Sequence, residues 1–354
     1  MHTENQSDTQ TQAWVIQKPT VGAYTPDCLR LEPRALPPLK PDEIRLRTIF
    51  ISLDPTYLNW LRLKEAYVVP LGVGDTMQGI VLGIVEESRS QDFSVGDVVS
   101  AMADWATHSV VSTKQDQVVR PTKIAPISGA PLSAYLTIFS HIGMVAMIGI
   151  GEIAKPKPGE TVLVSGAAGA AGLLASQIAK AYGARVIGIA GGPEKCRFLL
   201  HDVGLDGAID YKSEDVGEAL SRLCPNGVDV YFDNVGGPML DEVLLHLALR
   251  ARIMTCGAIS QYNLADPADE YGLKNLFRLV LRSARMEGFV PPAYEHRYEA
   301  MFAELGRLYA GGSITHRPHI VDGLEHVANA MGLLLTGENH GKLMVQVAPD
   351  PWAS

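Results

Sequence analysis

Cysteine is scarce in this sequence, and its four copies are scattered. They stand at positions 28, 196, 224 and 256, and no two of them form a CxxC pair. Disulfide frameworks belong to small secreted domains, and structural zinc sites draw their ligands from close pairs. A large chain with this cysteine pattern is therefore expected to contain neither.

The sequence also has a deficit of positive charge and no long apolar run. Its 30 lysines and arginines stand against 39 aspartates and glutamates, which gives a net charge of −9. This balance disfavours nonspecific binding to nucleic acid or to an anionic membrane, although a local basic pocket is compatible with it. The most apolar stretch, FSHIGMVAMIGIGEI, contains His141 and reaches Glu152, so it falls short of a membrane span. We expect neither nucleic acid nor membrane among the partners.

The first twelve residues, MHTENQSDTQTQ, lack the basic start and the apolar core of a secretion signal. We expect residues 1–12 to form a disordered tail and the protein to be cytoplasmic. The whole chain has 354 residues and is 47% hydrophobic and 19% charged, which is typical of a globular protein with two domains.

The sequence pattern changes along the chain from strands alone to strands alternating with helices. Up to about Val119, short β-branched runs are separated by Pro, Gly and Asp turns, which indicates an antiparallel, barrel-like β unit. Further on, strands such as TVLVS and RVIGIA alternate with helical segments, which predicts a doubly wound parallel sheet. The last segment, from HIVDG onward, reads as one helix and one strand that can return to the first sheet. The predicted domains are 1–131 with 313–354, and 132–312.

The stretch VSGAAGAAG carries a glycine pattern typical of a dinucleotide-binding turn. It reads as GxxGxxG over Gly166, Gly169 and Gly172, or as AxGxxG with Ala167 in the first place. The preceding strand and the amphipathic helix that follows strengthen this otherwise weak signal. Such glycines allow a tight turn, close approach to a pyrophosphate and close helix–sheet packing, while N–H groups at the helix start meet the phosphates. The alternative is a tight strand-to-helix turn that binds no ligand.

The end of the next strand favours NADPH over NADH. An NAD-binding unit usually places Asp or Glu there to bond the ribose 2′-hydroxyl. Here RVIGIA ends in Gly191 and Gly192, and Lys195 follows. A carboxylate would repel a 2′-phosphate, whereas a lysine can act on it as a point charge. Two alternatives stay open, because Glu194 can take the carboxylate role and Lys195 can be a solvated residue of a first helical turn.

Several segments together resemble a known family. They are ISLDP, GDTMQGIVLGIVEES, the block from VSGAAGAAG to GGPEKC, GVDVYFDNVGG, CGAISQYN, MEGF and GENHGK. From about Trp14 to Val347 the chain resembles the zinc-independent medium-chain dehydrogenases/reductases, and within them the prostaglandin reductase, leukotriene B4 12-hydroxydehydrogenase and alkenal double-bond reductase group. The resemblance implies a GroES-like β-rich barrel domain and a Rossmann domain. It also implies NADPH-dependent reduction of the C=C bond of an α,β-unsaturated aldehyde or ketone, and a homodimer by default.

The resemblance also implies roles for individual residues. Lys195 and Tyr211 bind the adenosine 2′-phosphate region, Asn234 lies near the dinucleotide, and Asn339 lies near the nicotinamide half. Asn234 has an alternative role as a turn former, because DNVGG is also favourable turn chemistry. The residues expected to contact the cofactor are Gly166, Ala167, Gly169, Ala170, Gly172, Gly191, Lys195, Tyr211, Asn234, Gly257, Ile259, Tyr262 and Asn339.

Two tyrosines match those that line the reactive end of the site in the family. Hydride addition to the β-carbon of an enone pushes negative charge onto the carbonyl oxygen, and a neutral tyrosine hydroxyl can donate a hydrogen bond to it. Tyr262, in a loop after the strand RIMTC, is the first choice as catalytic residue, and Tyr67 is the second. Tyr262 can instead be structural or bond the ribose, and Tyr67 can be a loop aromatic of the β domain.

Two segments depart from the family pattern. SHIGMVAM, from Ser140 to Met147, replaces the frequent GMPGLTAY, and Asn59 or a neighbour replaces the arginine of DPYMR. The first departure leaves local cofactor contacts and substrate shape open. A quinone oxidoreductase, a non-catalytic NADPH-binding protein and a zinc alcohol dehydrogenase are the alternative functions. No metal is expected, because no HxH or HExxH spacing occurs and the pair His316 and His319 reads as an ordinary loop.

Overall fold

The protein consists of two units in a computed structural model that describes residues 10–20, 22–61, 71–114 and 120–353. Unit 1 contains the chain up to Leu136, His319–Glu338 and the segment from Leu343 onward. Unit 2 contains Thr137–Pro318 and Asn339–Lys342. The domain boundaries predicted from the sequence, after residues 131 and 312, lie a few residues before the boundaries in the structure, which follow Leu136 and Pro318. Nothing in the sequence pattern predicted that Asn339–Lys342, near the end of the chain, belongs to unit 2.

The described residues form fifteen strands and nine α-helices. The strands are β1 (Gln10–Ile16), β2 (Leu29–Ala35), β3 (Glu43–Ser52), β4 (Gln78–Ser88), β5 (Val98–Asp104), β6 (His108–Ser112), β7 (Thr122–Lys123), β8 (Thr161–Ser165), β9 (Arg185–Ala190), β10 (Gly207–Asp210), β11 (Val228–Asp233), β12 (Leu247–Thr255), β13 (Arg285–Gly288), β14 (Pro318–Asp322) and β15 (Lys342–Gln346). The helices are α1 (Tyr57–Leu61), α2 (His141–Ala146), α3 (Ala170–Ala181), α4 (Pro193–Arg197), α5 (Val216–Leu223), α6 (Gly237–Leu245), α7 (Arg278–Arg282), α8 (Tyr298–Ala310) and α9 (Val327–Thr336). Two helices continue as π-helical turns, α2 through Met147–Ala154 and α4 through Phe198–Asp202.

The main sheet of unit 1 is antiparallel, as the strand-only pattern predicted. Its strands follow the order β14-β15-β3-β4-β5-β7, and β6 pairs with the first half of β3. In that half, buried Ile44 and Leu46 alternate with partly exposed residues, which is typical of a strand with one face on a core. β15 pairs with β3, with Met344 opposite Ser52, so the last strand lies in the same sheet as the early ones.

The expectation of a disordered tail over residues 1–12 was wrong for its last three residues. Gln10, Thr11 and Gln12 belong to β1, which pairs antiparallel with β2. The strand persists despite its polar sequence because Thr11 exchanges hydrogen bonds with β6. Its Oγ1 donates to the carbonyl oxygen of His108 at 3.0 Å and accepts from the His108 N–H at 2.9 Å. Residues 1–9 lie outside the described residues.

The sheet of unit 2 is parallel and confirms the predicted doubly wound fold. Its strand order is β10-β9-β8-β11-β12-β13. Strands β8 to β10 extend the sheet to one side and β11 to β13 extend it to the other, so the topological switch point lies between β8 and β11. Both faces are buried, since Val164 and Phe232 lie in one core cluster and Leu163 and Tyr231 in another. Sheets of this kind bind ligands at the carboxyl ends of the strands beside such a switch point.

The segment that reads as one helix near the end of the chain is a strand followed by a helix. Pro318–Asp322 forms β14, and α9 begins only at Val327. Gly323 separates them with a φ of 94°, a conformation that side-chain-bearing residues rarely adopt. The apolar run of α9 is long enough to suggest a helix, but it does not show where the helix begins.

No helix in the described ranges is long and apolar enough to cross a membrane. The apolar stretch SHIGMVAM instead starts α2 and its continuation. Ser140 caps this helix by accepting the N–H of Ile142 at 3.1 Å. Met144 and Ile148 are 2% and 0% exposed, so the segment lies in the core of unit 2.

Candidate functional site

The glycine loop joins β8 to α3 within unit 2. Gly166 has a φ of 59°, and its carbonyl oxygen accepts the N–H of Gly169 at 2.9 Å. The N–H of Ala167 donates to the carbonyl oxygen of Ile189 in β9 at 3.0 Å, which fixes the turn to the sheet. No side chain caps α3, because Gly169 occupies the N-cap position. The first-turn N–H groups, starting at Ala170, can therefore donate to a phosphate.

Gly172 allows the helix to pack directly on the turn. A Cβ atom at this position would overlap the carbonyl oxygen of Gly166 and lie 2.9 Å from the Cα of Ala167. The segment Asn339–Lys342 lies against the same turn, since the N–H of Gly341 donates to the carbonyl oxygen of Ala168 at 3.0 Å. Asn339 is 9% exposed there, so the structure brings it next to the glycine loop.

Ser165 joins the carboxyl ends of β8 and β11. Its hydroxyl donates to Oδ1 of Asp233 at 3.0 Å and accepts the N–H of Asn234 at 2.9 Å. The amide Nδ2 of Asn234 donates to the carbonyl oxygen of Ser165 at 2.7 Å. Asn234 therefore closes a turn and lies at the switch point at the same time.

The sequence analysis missed Asp233, which is 1% exposed and organises the loop after β11. Its Oδ1 also accepts the hydroxyl of Tyr231 at 2.8 Å and two loop N–H groups at 3.0 Å. Its carbonyl oxygen accepts the N–H of Gly257 at 3.1 Å, and Ile259 donates to the carbonyl oxygen of Asn234 at 3.1 Å. The sequence feature that could have predicted this role is a carboxylate directly after the apolar run VYF, at the end of a buried strand.

Tyr262 turns its hydroxyl back onto its own loop. Its oxygen accepts the N–H of Ala258 at 3.0 Å and lies 3.3 Å from the Cβ position at Gly257. This bond gives Tyr262 a structural role, but it uses a lone pair of the oxygen and not the hydroxyl proton. Tyr67, the second candidate, lies outside the described residues.

A second buried carboxylate, Asp241 on α6, positions the segment that follows this loop. It accepts the hydroxyl of Tyr271 at 3.0 Å and the N–H groups of Lys274 and Asn275 at 2.9 and 2.8 Å. The N–H of Tyr271 donates in turn to Gln261, next to Tyr262, at 2.8 Å. The loop that carries Tyr262 is thus tied to α6 through side chains.

Basic residues gather at the end of β9. Lys195 on α4 is half-buried, and burial lowers the pKa of its ammonium group, as do the charges of Lys212 and Arg317. The missing side chain at Gly191 leaves room for two neighbours. A Cβ there would lie 2.9 Å from the ring of Tyr211 and 3.0 Å from Cε of Lys212. Lys212 and Arg317 were not among the predicted residues, and Arg317 comes from a distant segment that gave no signal.

Asp210 and Glu194 lie near this cluster and also have other partners. Asp210 accepts the N–H groups of Gly192 at 2.7 Å and Lys212 at 3.1 Å and the hydroxyl of Ser213 at 2.9 Å. Burial alone would raise the pKa of Asp210, but these hydrogen bonds, together with the charge of Lys212, outweigh it and lower the pKa. Oε1 of Glu194 lies 3.8 Å from Nδ1 of His340.

Two family descriptions match the chain. The N-terminal domain of oxidoreductase matches residues 12–119, and the zinc-binding dehydrogenase family matches residues 170–307. An NADPH-dependent curcumin reductase from Escherichia coli is 35% identical over 95% of this chain and 97% of its own length. A 2-alkenal reductase (NADP(+)-dependent) from Nicotiana tabacum is 37% identical over 87% of this chain and 88% of its own length.

Among solved structures, CurA in complex with NADPH from Vibrio vulnificus has a TM-score of 0.88 and 34% identity, and the match covers 96% of this chain and 99% of that one. The chain belongs to the zinc-independent medium-chain dehydrogenases/reductases. Within that family it stands with the prostaglandin, alkenal and curcumin reductases.

Metal ions in this family of folds would be held by His, Cys, Asp or Glu side chains. No group of three or more of them is arranged to hold a metal ion within the part of the chain that the structure describes. His316 lines a cavity of about 480 Å³ beside α4, and burial lowers the pKa of its ring. His319 lies in β14 and not in the loop that the sequence suggested.

We expect Gly172→Ala to weaken both the fold and cofactor binding, because the new methyl group must displace the Gly166 turn. The loss of stability in urea denaturation should be about 1–3 kcal/mol, as for other overpacked sites. Gly306→Ala is the matched control, since this helical glycine of α8 has no atom within 4 Å of its Cβ position. It should gain up to about 1 kcal/mol from helix propensity. Equal behaviour of the two variants would contradict the close packing described for the glycine loop.

Proposed function

We propose that this protein reduces the C=C bond of α,β-unsaturated aldehydes and ketones by hydride transfer to the β-carbon. It is an NADPH-dependent oxidoreductase of the enone, alkenal, curcumin and prostaglandin reductase type. The observation that carries the finer proposal is that the chain covers nearly the whole length of two relatives named for conjugated substrates, a curcumin reductase and a 2-alkenal reductase.

The cofactor is NADPH, and the residues of unit 2 fit its parts. We propose that the glycine loop and the start of α3 hold the pyrophosphate, with Gly166, Ala167, Gly169, Ala170 and Gly172 as contacts. The close packing at Gly172 and the absence of a side-chain cap on α3 support this placement.

The remaining contacts follow the edge of the sheet. We propose that Lys195, Tyr211 and Gly191 hold the 2′-phosphate, where positive charges gather. Asn234, Gly257 and Ile259 follow β11 and β12 and line the middle of the cofactor, and Asn339 lies toward the nicotinamide.

The proposed chemistry needs a donor at the carbonyl oxygen of the substrate. Bound NADPH would supply the hydride, negative charge would develop on that oxygen, and the resulting enolate would take a proton from water at its α-carbon to give the saturated product. Tyr262 donates its hydroxyl proton in a hydrogen bond to this oxygen and stabilises the charge. The N–H of Ala258 orients the phenol oxygen and polarises the hydroxyl, which strengthens the bond that the hydroxyl donates.

The reaction class is tested by following the absorbance of the reduced nicotinamide with 2-alkenals, enones, a 15-keto prostaglandin-like enone, a quinone and a saturated ketone. Consumption of NADPH with enones, and recovery of the saturated carbonyl product, would support the proposal. Turnover of quinones alone would favour the quinone oxidoreductase alternative. Tight NADPH binding without turnover on any substrate would favour a binding protein.

We propose that Lys195 binds the 2′-phosphate, so Lys195→Ala should weaken NADPH binding far more than NADH binding. Loss of one charged contact should cost on the order of 1–3 kcal/mol. Fluorescence titration of both cofactors measures the difference. Equal losses for the two cofactors would mean that Lys195 does not contact the extra phosphate.

Tyr262→Phe should lower kcat on the order of 100-fold, the usual effect of removing one donor to a developing oxyanion. Cofactor affinity should change little, whereas the fold should lose some stability because the N–H of Ala258 loses its acceptor. Tyr271→Phe is the matched control, since it removes a comparable hydrogen bond to Asp241 in the next segment. The control should lose stability but retain kcat. Retained kcat in Tyr262→Phe would transfer the role to Tyr67 or to the cofactor ribose.

We also propose a homodimer through the β13 edge of unit 2. Among the described residues, β13 pairs only with β12 and leaves its other edge open. The nearby α7 and its N-cap residue carry exposed apolar side chains, since the exposed fraction is 67% for Phe277 and 65% for Val280. An open strand edge beside an apolar patch is typical of a self-association surface.

Val280→Asp should therefore shift the protein from dimer to monomer in sedimentation velocity. Val95→Asp, at an apolar residue of unit 1 that is 68% exposed, is the control and should leave the dimer unchanged. A monomeric native protein, or a dimer that persists in Val280→Asp, would overturn this surface. We also propose a cytoplasmic location. All four cysteines are free, which is typical of proteins in a reducing compartment.

A further inference from the structure

We propose that Lys212 and Arg317 complete the 2′-phosphate site and determine the preference for NADPH over NADH. The inference rests on the proposed role of Lys195 and extends it to two residues that no motif points to. Three separate segments supply the cations. Lys195 lies on α4, Lys212 follows β10, and Arg317 directly precedes β14.

The backbone at Gly191 brings Lys212 to the end of β9. A side chain at Gly191 would lie 3.0 Å from Cε of Lys212, so the lysine passes directly over this glycine. The N–H of Lys212 donates to Asp210 at 3.1 Å, which fixes the start of the side chain. Lys212 thus reaches the place where an NAD-specific unit carries its ribose-binding carboxylate.

Arg317 is held against α4 from the other direction. The centre of its guanidinium group lies 4.2 Å from the centroid of the Phe198 ring. Phe198 follows Lys195 by three residues in one continuous helical segment, so both lie on one face. The carbonyl oxygen of Arg317 accepts the N–H of Lys342 at 2.8 Å. The ring stacking and this hydrogen bond therefore restrain both ends of the residue.

Bringing three like charges together is unfavourable unless an anion joins them. The charges of Lys212 and Arg317 oppose protonation of Lys195, in addition to the effect of its burial. Glu194 favours the protonated form of Lys195. Asp210, which accepts backbone N–H groups, also interacts with the charge of Lys212, so these carboxylates offset part of the positive charge. A phosphate monoester carries about −1.5 to −2 charges, whereas the 2′-hydroxyl of NADH is neutral. The cluster therefore suits the phosphate and gives the hydroxyl no comparable gain.

The test compares binding of 2′,5′-ADP and 5′-AMP, two probes that differ only by the 2′-phosphate, in isothermal titration calorimetry. Arg317→Gln and Lys212→Gln should each weaken binding of 2′,5′-ADP on the order of tenfold and leave 5′-AMP unchanged. Arg197→Gln is the matched control. Arg197 is an exposed cation of the same helix that lines the cavity beside Arg317, so its substitution removes a positive charge from the same region. It should bind both probes as the native protein does.

Equal losses for both probes, or an unchanged affinity for 2′,5′-ADP, would overturn the inference. If Arg317→Gln does not fold, Phe198→Leu provides a second variant, because it removes the ring that holds the guanidinium group. It should weaken 2′,5′-ADP binding in the same direction but by less, and an unchanged affinity would again overturn the role of Arg317.

The outcomes separate this inference from the proposed function. A native protein that prefers 2′,5′-ADP, with variants that retain the preference, would overturn only the roles of Lys212 and Arg317. A native protein without any preference would overturn the phosphate site as a whole, including Lys195. Failure to reduce enones would leave the binding results, and with them this inference, intact.

Discussion

The hydrogen bonds of Ser165 join the carboxyl ends of β8 and β11, the two paired strands on either side of the switch point of the parallel sheet. β8 and β11 are neighbours in space but are separated by a long stretch of chain, and their ends carry the loops of the proposed site. Asp233 accepts four hydrogen bonds on Oδ1, which compensates in part for burial of the carboxylate, whose Oδ2 is buried without a hydrogen-bond partner among the described residues. Without this junction the positions of Asn234 and of the loop after β12 would not be fixed relative to the glycine loop.

The parts of the fold that depend on neighbouring residues could be predicted. The alternation of strands and helices, the turn at Gly166 and the placement of Lys195 after Gly192 are local features, and each appears in one continuous stretch of sequence. The doubly wound order follows from the general handedness of βαβ units, so the alternation was sufficient for the fold class.

The remaining features depend on contacts between distant segments, and no periodicity encodes them. The strand at Gln10–Gln12 persists because Thr11 meets β6, almost a hundred residues later. Arg317 reaches α4 from a segment that gave only an unremarkable loop pattern. The hydroxyl of Tyr262 bonds within its own loop, yet that contact depends on backbone angles that residue types do not specify.

The short segment that contains Gly341 has a consequence for the order of assembly. Its N–H pairs with Ala168 in the glycine loop, although most of unit 2 has been made long before it. During synthesis, the parallel sheet and its helices can therefore form while one wall of the loop is still missing. Since contacts across large sequence separations form late, the contact between Gly341 and the glycine loop is expected to form after the local contacts of that loop.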